Sequence, residues 1–373
     1  MAFQFRHHII DLAVPPGAYA QTMLADLDGD GRLEFVTGQQ YGSLFWYKCH
    51  APDRWTRHLL GTDSPSDVGA AALDVDGDGL VDVVTGGAWY RNSGDPDIPF
   101  ERIVFDADLT GVHDVLVTDI DGDGRLDVVT MSDKNSLRWY RIPDDPRRPW
   151  MSTDIGPPVH AGAAAGDIDG DGAIDIVRTN VWFRNVAGDG SRWEEVPIGP
   201  STPPPPDFRP AFAFDATCAH VCDMDRDGKN DVVFTDAEIP GGRIWWMENV
   251  HGDGRTWARH DIAGDESPRR GPYHCLHVGD MDGDGDLDIV SCEMEAIAGE
   301  AAPRWYIWEN VDDFGAEWRE RVILDANLGG HQTVVGDVTG NGLPDIISKP
   351  WRPSPQNAVD GRMFVVFLEN LGE

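Results

Sequence analysis

GDMDGDGDLDIVSCE, residues 279–293, sets Asp280, Asp282, Asp284 and Asp288 at positions 1, 3, 5 and 9 of a glycine-rich loop and runs directly into an apolar, β-branched strand. Glycine permits the sharp turn, and alternate carboxylates converge on one point. Near copies begin at Asp26, Asp74, Asp119, Asp167, Asp223 and Asp337, so the loop occurs seven times at intervals of 45 to 57 residues. The surroundings repeat as well. Small residues lead in (GAAAGDID, LHVGDMD), and the loop is followed by a strand such as LDVVT or IDIVR. An aromatic strand comes next (LFWYK, AWYRN, LRWYR, VWFRN, IWWMEN, YIWEN, VVFLEN), then a fourth such as WTRHLL or WARHDI. Four short strands per repeat is the pattern of propeller blades. The last repeat stops after its third strand, whereas the chain opens on FQFRHHII, which matches the missing fourth. The expectation is an all-β chain: a single domain over residues 1–373, a seven-bladed β-propeller with four antiparallel strands per blade. Residues 3–10 pair with the blade at 331–371, which closes the ring without exposed sheet edges.

The 373 residues carry a formal charge of −35, which argues against nucleic acid as a partner. No run of eighteen apolar residues is present to span a membrane. The start, MAFQFRHHII, lacks the apolar stretch and cleavage site of a secretory signal, so the expected location is cytoplasmic, a trimmed secreted protein being the alternative. Five cysteines (Cys49, Cys218, Cys222, Cys275, Cys292), odd in number and without a C-x-x-C pair, point to reduced thiols.

The acidity is concentrated. At positions 1, 3, 5 and 9 six loops hold four carboxylates each, one of them using Glu34, and the seventh keeps Asp337 and Asp345, so these positions account for 26 of 65 acidic residues. D-x-D-G-D-G-x-x-D resembles the opening of a calcium-binding loop. Structural calcium is therefore expected in some of the loops. The ligands would be Asp26, Asp28 and Asp30; Asp74, Asp76 and Asp78; Asp119, Asp121 and Asp123; Asp167, Asp169 and Asp171; Asp223, Asp225 and Asp227; and Asp280, Asp282 and Asp284. Seven similar loops cannot build one asymmetric active site, so they read as scaffolding. The repeated loop and the strand after it resemble the FG-GAP/VCBS repeat family over essentially the whole chain. That resemblance implies a seven-bladed propeller but not one function, since members include adhesion-receptor heads, lectin-like modules and polysaccharide lyases.

A site is expected on the face opposite the acidic loops, where the long insertions at 199–214, 263–273, 293–303 and 349–361 fall. The seven residues before each loop make up 49 positions, and six of the twelve histidines lie there: His113, His160, His220, His274, His277 and His331. These first strands line the axis, so the imidazoles should crowd its mouth, joined from second-strand ends by Asp236, Glu238, Glu293, Glu295 and Lys349. Histidine moves protons near neutral pH and, as neutral imidazole, binds metals. His220, His277 and His331 are candidate ligands, with Glu293, for a divalent transition metal or magnesium. Tyr19 and Tyr273 are candidate acids, and Arg209, Arg269, Arg270 and Arg352 candidate partners for a substrate carboxylate. Trp89, Trp182 and Trp351 are candidates for stacking on a sugar ring. No G-x-S-x-G, P-loop or dinucleotide fingerprint is present.

Axial histidines with loop Arg and Tyr resemble carbohydrate β-eliminating enzymes: the propeller part of aldos-2-ulose dehydratase and the L-rhamnose-α-1,4-D-glucuronate lyases. The resemblance implies a lyase or dehydratase acting on a uronate- or keto-sugar-containing oligosaccharide or smaller sugar. A base removes a proton acidified by a neighbouring carbonyl or carboxylate, and an oxygen leaves the next carbon. The alternatives are a non-catalytic carbohydrate- or protein-binding propeller and a metal-dependent glycoside hydrolase.

Overall fold

The computed structural model describes residues 3–66, 68–160, 162–199, 217–238, 242–263, 271–294, 303–355 and 357–372. Among them regular structure is strand alone, in seven antiparallel sheets of four strands, and no helix is long and apolar enough to cross a membrane. Six sheets take their strands in chain order. The seventh joins Gln332–Gly336, Asp345–Lys349 and Val365–Asn370 to Phe5–Asp11 from the other end of the chain. Its register runs from Phe5 opposite Asn370 to Asp11 opposite Val365, with a bulge between Ile9 and Asp11. The N-terminal strand therefore closes the ring, as the matching of the chain ends predicts.

The core is layered between blades rather than gathered at one centre. Val84, Trp89 and Phe105 of blade 2 pack on Val115, Val128 and Tyr140 of blade 3, and Phe35 and Tyr47 of blade 1 pack on Val365 and Phe367 of blade 7. β-Branched second strands and aromatic third strands suit this, because each sheet buries both faces. Trp89 and Trp182 are 0% exposed in these layers, their indole N–H groups donated to the carbonyls of Pro146 and Gly254. They cannot stack on a sugar.

Each acidic loop is first a backbone device. In blade 2, Asp74 at position 1 accepts the N–H groups of Gly77 at 2.8 Å, Asp78 at 3.1 Å and Gly79 at 2.9 Å. Gly77 and Gly79 hold φ of 74° and 88°, where a side chain is strained. At position 9, Asp82 accepts Val75 N–H at 3.0 Å and Asn92 N–H at 2.7 Å. Burial outweighs those bonds and pushes the Asp82 carboxyl up to about 7, and Asp175, Asp231 and Asp288 share both arrangement and shift.

The Asn that ends several third strands is an inter-blade staple. Asn92, Asn185 and Asn249 donate their amides to the carbonyls of Leu27, Ile120 and Ile168 of the preceding blade, at 2.7, 2.8 and 2.7 Å. The Asn249 side-chain oxygen also accepts Gly254 N–H at 3.0 Å. Asn249→Ala strands both partners in the interior and is expected to cost about 2 kcal/mol or more in denaturant unfolding. Asn310→Ala is expected to cost less, because the Asn310 amide nitrogen has no acceptor to lose.

Candidate functional site

At the face opposite the acidic loops the ring opens into a cavity of about 330 Å³ to which every blade contributes: Gln40, Val68, His113, His160, Glu238, His274 with Met294, and His331 with Trp351. Here four of the six predicted histidines meet. His113 and His160 stand edge to face at 4.3 Å, His113 and His274 are 5.9 Å apart, and His274 and His331 stack at 3.8 Å with 21° between their planes. Trp351 lies 4.9 Å from His331, with the Arg352 guanidinium over its outer side at 5.8 Å.

His220 and His277 belong elsewhere. Each sits three positions before its loop, whereas His113, His274 and His331 sit six before and His160 seven. At roughly 3.3 Å per strand residue, three positions place a side chain about 10 Å further down the axis. The electrostatics agree. His331 feels His274, Lys349, His113 and His160, while His277 feels His220. Burial drives the His277 imidazole down to about 4 and lowers His220 too. Between the levels lies a smaller cavity of about 150 Å³, lined by Asp114, Cys218, Cys275 and Thr333 beneath His113 and His274. The trio His220, His277 and His331 is thus not assembled around one ion.

The geometry fixes where protons sit. Nδ1 of His274 is 2.8 Å from the His331 carbonyl oxygen, and its Nε2 is 3.2 Å from Glu238 Oε1. Both partners accept, so the surroundings suit a doubly protonated His274, an imidazolium beside the Glu238 carboxylate. Burial alone would raise Glu238; the hydrogen bond from His274 and the charges of His274 and His160 outweigh it, and the net shift is downward. His331 is the opposite case. It is 7% exposed, its Nδ1 meets no hydrogen-bond partner, and burial, with the neighbouring His274 and Lys349 charges, holds it well below its ordinary value. It is a neutral imidazole whose Nδ1 is buried and unpartnered, set against the His274–Glu238 couple. The stacked rings present faces rather than nitrogens to each other, so they are not arranged as two ligands of one ion.

Several predicted residues do other work. Tyr19 is 0% exposed, with its hydroxyl donated to the Pro15 carbonyl at 2.8 Å, and Tyr273 packs edge-on against Tyr306 and Trp308. Neither lines the cavity. Glu293 accepts Gly271 N–H at 3.3 Å and Arg304 N–H at 3.0 Å, clamping its own blade, and Asp236 does the same for Arg243. Lys349 is fully buried with Nζ on the Tyr19 carbonyl at 2.8 Å, and its charge reaches the site through His331. Arg209, Arg269, Arg270 and Glu295 lie outside the described residues. None of the five thiols forms a disulfide, Cys275 and Cys292 facing each other at 3.4 Å. Sequence reasoning missed Asp114, which accepts Ala163 N–H at 3.1 Å and which burial pushes up to about 6. The bulge between Val112 and Asp114 turns it inward, and a bulge leaves no mark in HDVLV.

The acidic loops bring carboxylates together closely enough to hold a metal ion, for example Asp26, Asp28 and Glu34, or Asp223, Asp225 and Asp231. Asp227 of blade 5 meets Lys229 of its own loop, and four other loops meet a cation delivered by the third strand. Lys48 reaches Asp28 and Asp30, Arg91 reaches Asp76 and Asp78, Arg141 reaches Asp121 and Asp123, and Arg184 reaches Asp169 and Asp171. All four occupy one register position of the third strand. In blades 5, 6 and 7 that position holds Glu248, Glu309 and Glu369. The carboxylates at positions 3 and 5 of blades 1–4 thus fit an internal ammonium or guanidinium, and a divalent ion there would have to displace it. The signal stood in the aligned aromatic strands, as K, R, R, R against E, E, E.

Residues 26–85, 119–177 and 223–291, together half of the chain, match the family model of the FG-GAP-like repeat. The fold is similar to that of the V. cholerae biofilm matrix protein Bap1, with a TM-score of 0.52 and 11% identity over 100% of this chain and 92% of that one. It is also similar to BBS1N in complex with ARL6DN, with a TM-score of 0.56 and 9% identity over 100% and 98%. At such identities the likeness is one of fold. None of the curated proteins matches the chain.

Proposed function

The chain belongs to the FG-GAP-like repeat family, and from that premise we propose that it is a carbon–oxygen lyase that performs β-elimination on a uronate- or keto-sugar-containing substrate at the mouth of the ring. The observation that carries the reading is the stacking of a buried His331, held neutral, on His274, 3.8 Å away ring to ring, with His274 paired to Glu238. Elimination needs these two states side by side. His331, which lines the cavity, takes the proton next to the carbonyl or carboxylate, and the His274–Glu238 couple returns one to the departing oxygen. The Lys349 charge and the imidazolium favour the enolate that develops between them. Trp351 gives the sugar a face to lie on, and Arg352 is the described cation nearest to it for a carboxylate. Hydrolysis by paired carboxylates is supported less well, because Glu238 is the single carboxylate among the described residues lining this cavity. Calcium or another hard ion in the acidic loops belongs to the scaffold, and no step of the reaction runs through it.

The test is an ultraviolet scan with uronate-terminated oligosaccharides and keto-sugars, with a chelator-treated sample alongside. A rising absorbance marks the conjugated product of elimination. New reducing ends without absorbance would transfer the reading to a hydrolase. Glycan binding with neither would leave a binding propeller.

The pH profile gives a second check. An ordinary histidine base is lost as pH falls through about 6.5. The lowered value of His331 keeps the base unprotonated through that range, so the acid limb of kcat/KM is expected well below 6.5. A limb at 6.5 would assign the base to another imidazole.

A further inference from the structure

Cys275 leads into the first strand of blade 6, His277–Gly279, and Cys292 ends the second, Asp288–Cys292. His277 pairs with Val290, so two residues back the antiparallel register sets Cys275 opposite Cys292. Opposite residues in such a ladder hold their Cα atoms about 4.5–5.5 Å apart, inside the span of roughly 4.4–6.8 Å that a disulfide bridges. The two sulfurs already lie 3.4 Å apart. Each also accepts a backbone N–H, Cys275 from Cys292 at 3.2 Å and Cys292 from Gly330 at 3.2 Å. Donated N–H groups favour the thiolate, which is the form that reacts.

The two thiols are not equivalent. Cys275 borders the cavity of about 150 Å³ beneath His113 and His274, whereas Cys292 is 0% exposed. That cavity shares both histidines with the larger one at the mouth, and its size admits several water-sized molecules. Burial raises both thiols. At Cys275 the hydrogen bonds with Cys292, Thr333 and Ser291 outweigh burial and the net shift is downward, while Cys292 stays well above its ordinary value. A reactive thiol at the cavity wall thus backs onto a second thiol placed to resolve it.

We propose that Cys275 and Cys292 form a reversible disulfide when a small peroxide enters past His113 and His274. The Cys275 thiolate attacks one peroxide oxygen, the O–O bond breaks, and the departing hydroxide takes up the thiol proton as water. The Cys292 thiolate then attacks the sulfenic sulfur; the S–O bond breaks, the S–S bond forms and a second water leaves. The thiol pair gives up two electrons, and one peroxide is reduced to two waters. Closing the pair draws the sulfurs from 3.4 Å to about 2.05 Å. Cys292 holds both polar backbone groups of Gly330, the N–H at 3.2 Å and the carbonyl at 3.4 Å. Gly330 precedes His331, whose own carbonyl accepts His274. Gly330 is also tightly enclosed, since a Cβ there would lie 2.3 Å from Ser348 Oγ. Oxidation therefore shifts the backbone that carries the stacked imidazoles. The disulfide stands independently of the lyase reading; its effect on elimination rests on that reading.

The test uses the full chain, reduced, exposed to hydrogen peroxide and desalted. Free thiols are counted after unfolding, and peptides are mapped by mass spectrometry without reduction. Two of the five thiols should be lost, the link should join Cys275 to Cys292, and dithiothreitol should return all five. Cys292→Ser should stop at a Cys275 sulfenic acid that dimedone traps. Cys218→Ser, on the same cavity wall, should still form the link. Elimination should fall at least tenfold in the linked protein and recover on reduction. Five free thiols after peroxide, or a link through Cys218, overturns the proposal, and neither readout needs an active enzyme. A linked pair with elimination unchanged overturns its transmission to the mouth. A linked pair in a protein that eliminates in neither state upholds the disulfide and sinks the lyase reading.

Discussion

His331→Asn is expected to lower kcat/KM for elimination by about a thousandfold while the protein keeps its melting temperature to within a few degrees. Asparagine retains a small polar side chain but has no nitrogen that accepts a proton near neutral pH. His331 makes no side-chain hydrogen bond through Nδ1, so the substitution strands no partner there. What it removes is the stacking against His274 and the base itself. Substrate affinity should change little, since Trp351 and Arg352 remain, so the loss should fall on kcat rather than KM. His220→Asn is the matched control. It removes an equally axial imidazole from the deeper level, outside the 330 Å³ cavity, and should leave elimination nearly intact. Equal losses in the two variants would sink the assignment of the base to the mouth. A fully active His331→Asn enzyme would sink the acid–base pair altogether.

Glu238→Gln separates the acid from the base. The glutamine can still accept a hydrogen bond from His274, but it no longer stabilises the imidazolium, so the proton supply to the leaving oxygen weakens while burial and Lys349 still hold His331 below its ordinary value. Substrates with good leaving groups should then suffer less than those with poor ones. A binding propeller predicts no such dependence.

The repeats are legible because one turn chemistry imposes similar residues each time: Asp at position 1 for two or three N–H groups, glycine at positive φ, and a buried carboxylate at position 9. Ring closure is legible for a related reason, since FQFRHHII has the pattern of a fourth strand with no first three before it. The site is legible only in part. A window of seven residues treats His274 and His277 as equals, yet three residues of strand separate mouth from channel. Tyr19 and Tyr273 occupy the expected strand ends but turn into the layers between blades, and Glu293 is taken up by backbone N–H groups. Whether a side chain at a strand end faces the axis or the neighbouring blade depends on local twist and bulges, such as the one at Val112 and Asp114, and those leave no mark in residue type. The charge inversion between Arg184 and Glu248 is the reverse case: it is plain in the sequence, but its meaning appears only once the third strand is seen to deliver that residue into the loop.

Removal of residues 1–11 is expected to abolish cooperative folding. Those residues supply the fourth strand of blade 7, and without them Val365–Asn370, buried along its whole length, becomes an open edge. The loss has three parts. Phe5, Ile9 and Ile10 leave the layers on either side of blade 7, each giving up about 1 kcal/mol or more of apolar burial. The cross-strand hydrogen bonds from Phe5 to Asp11 go, at roughly 1 kcal/mol net apiece. Glu369, 9% exposed, loses both His8 at 2.8 Å and Arg6 at 3.5 Å and is left a buried, unpaired charge. Together these approach the 5–15 kcal/mol by which a native protein is typically stable. The opened ring also offers an apolar edge for pairing with other molecules, so the truncated chain should elute as aggregate and melt without a sharp transition. A synthetic peptide of residues 3–11, added in excess, should restore a monomeric, cooperatively melting species, because the edge it fills is already shaped by the third strand. If the truncated chain instead elutes as a monomer and melts within a few degrees of the full chain, the contacts between neighbouring blades suffice to hold the circle. The N-terminal strand would then be an ornament on blade 7 and not its clasp.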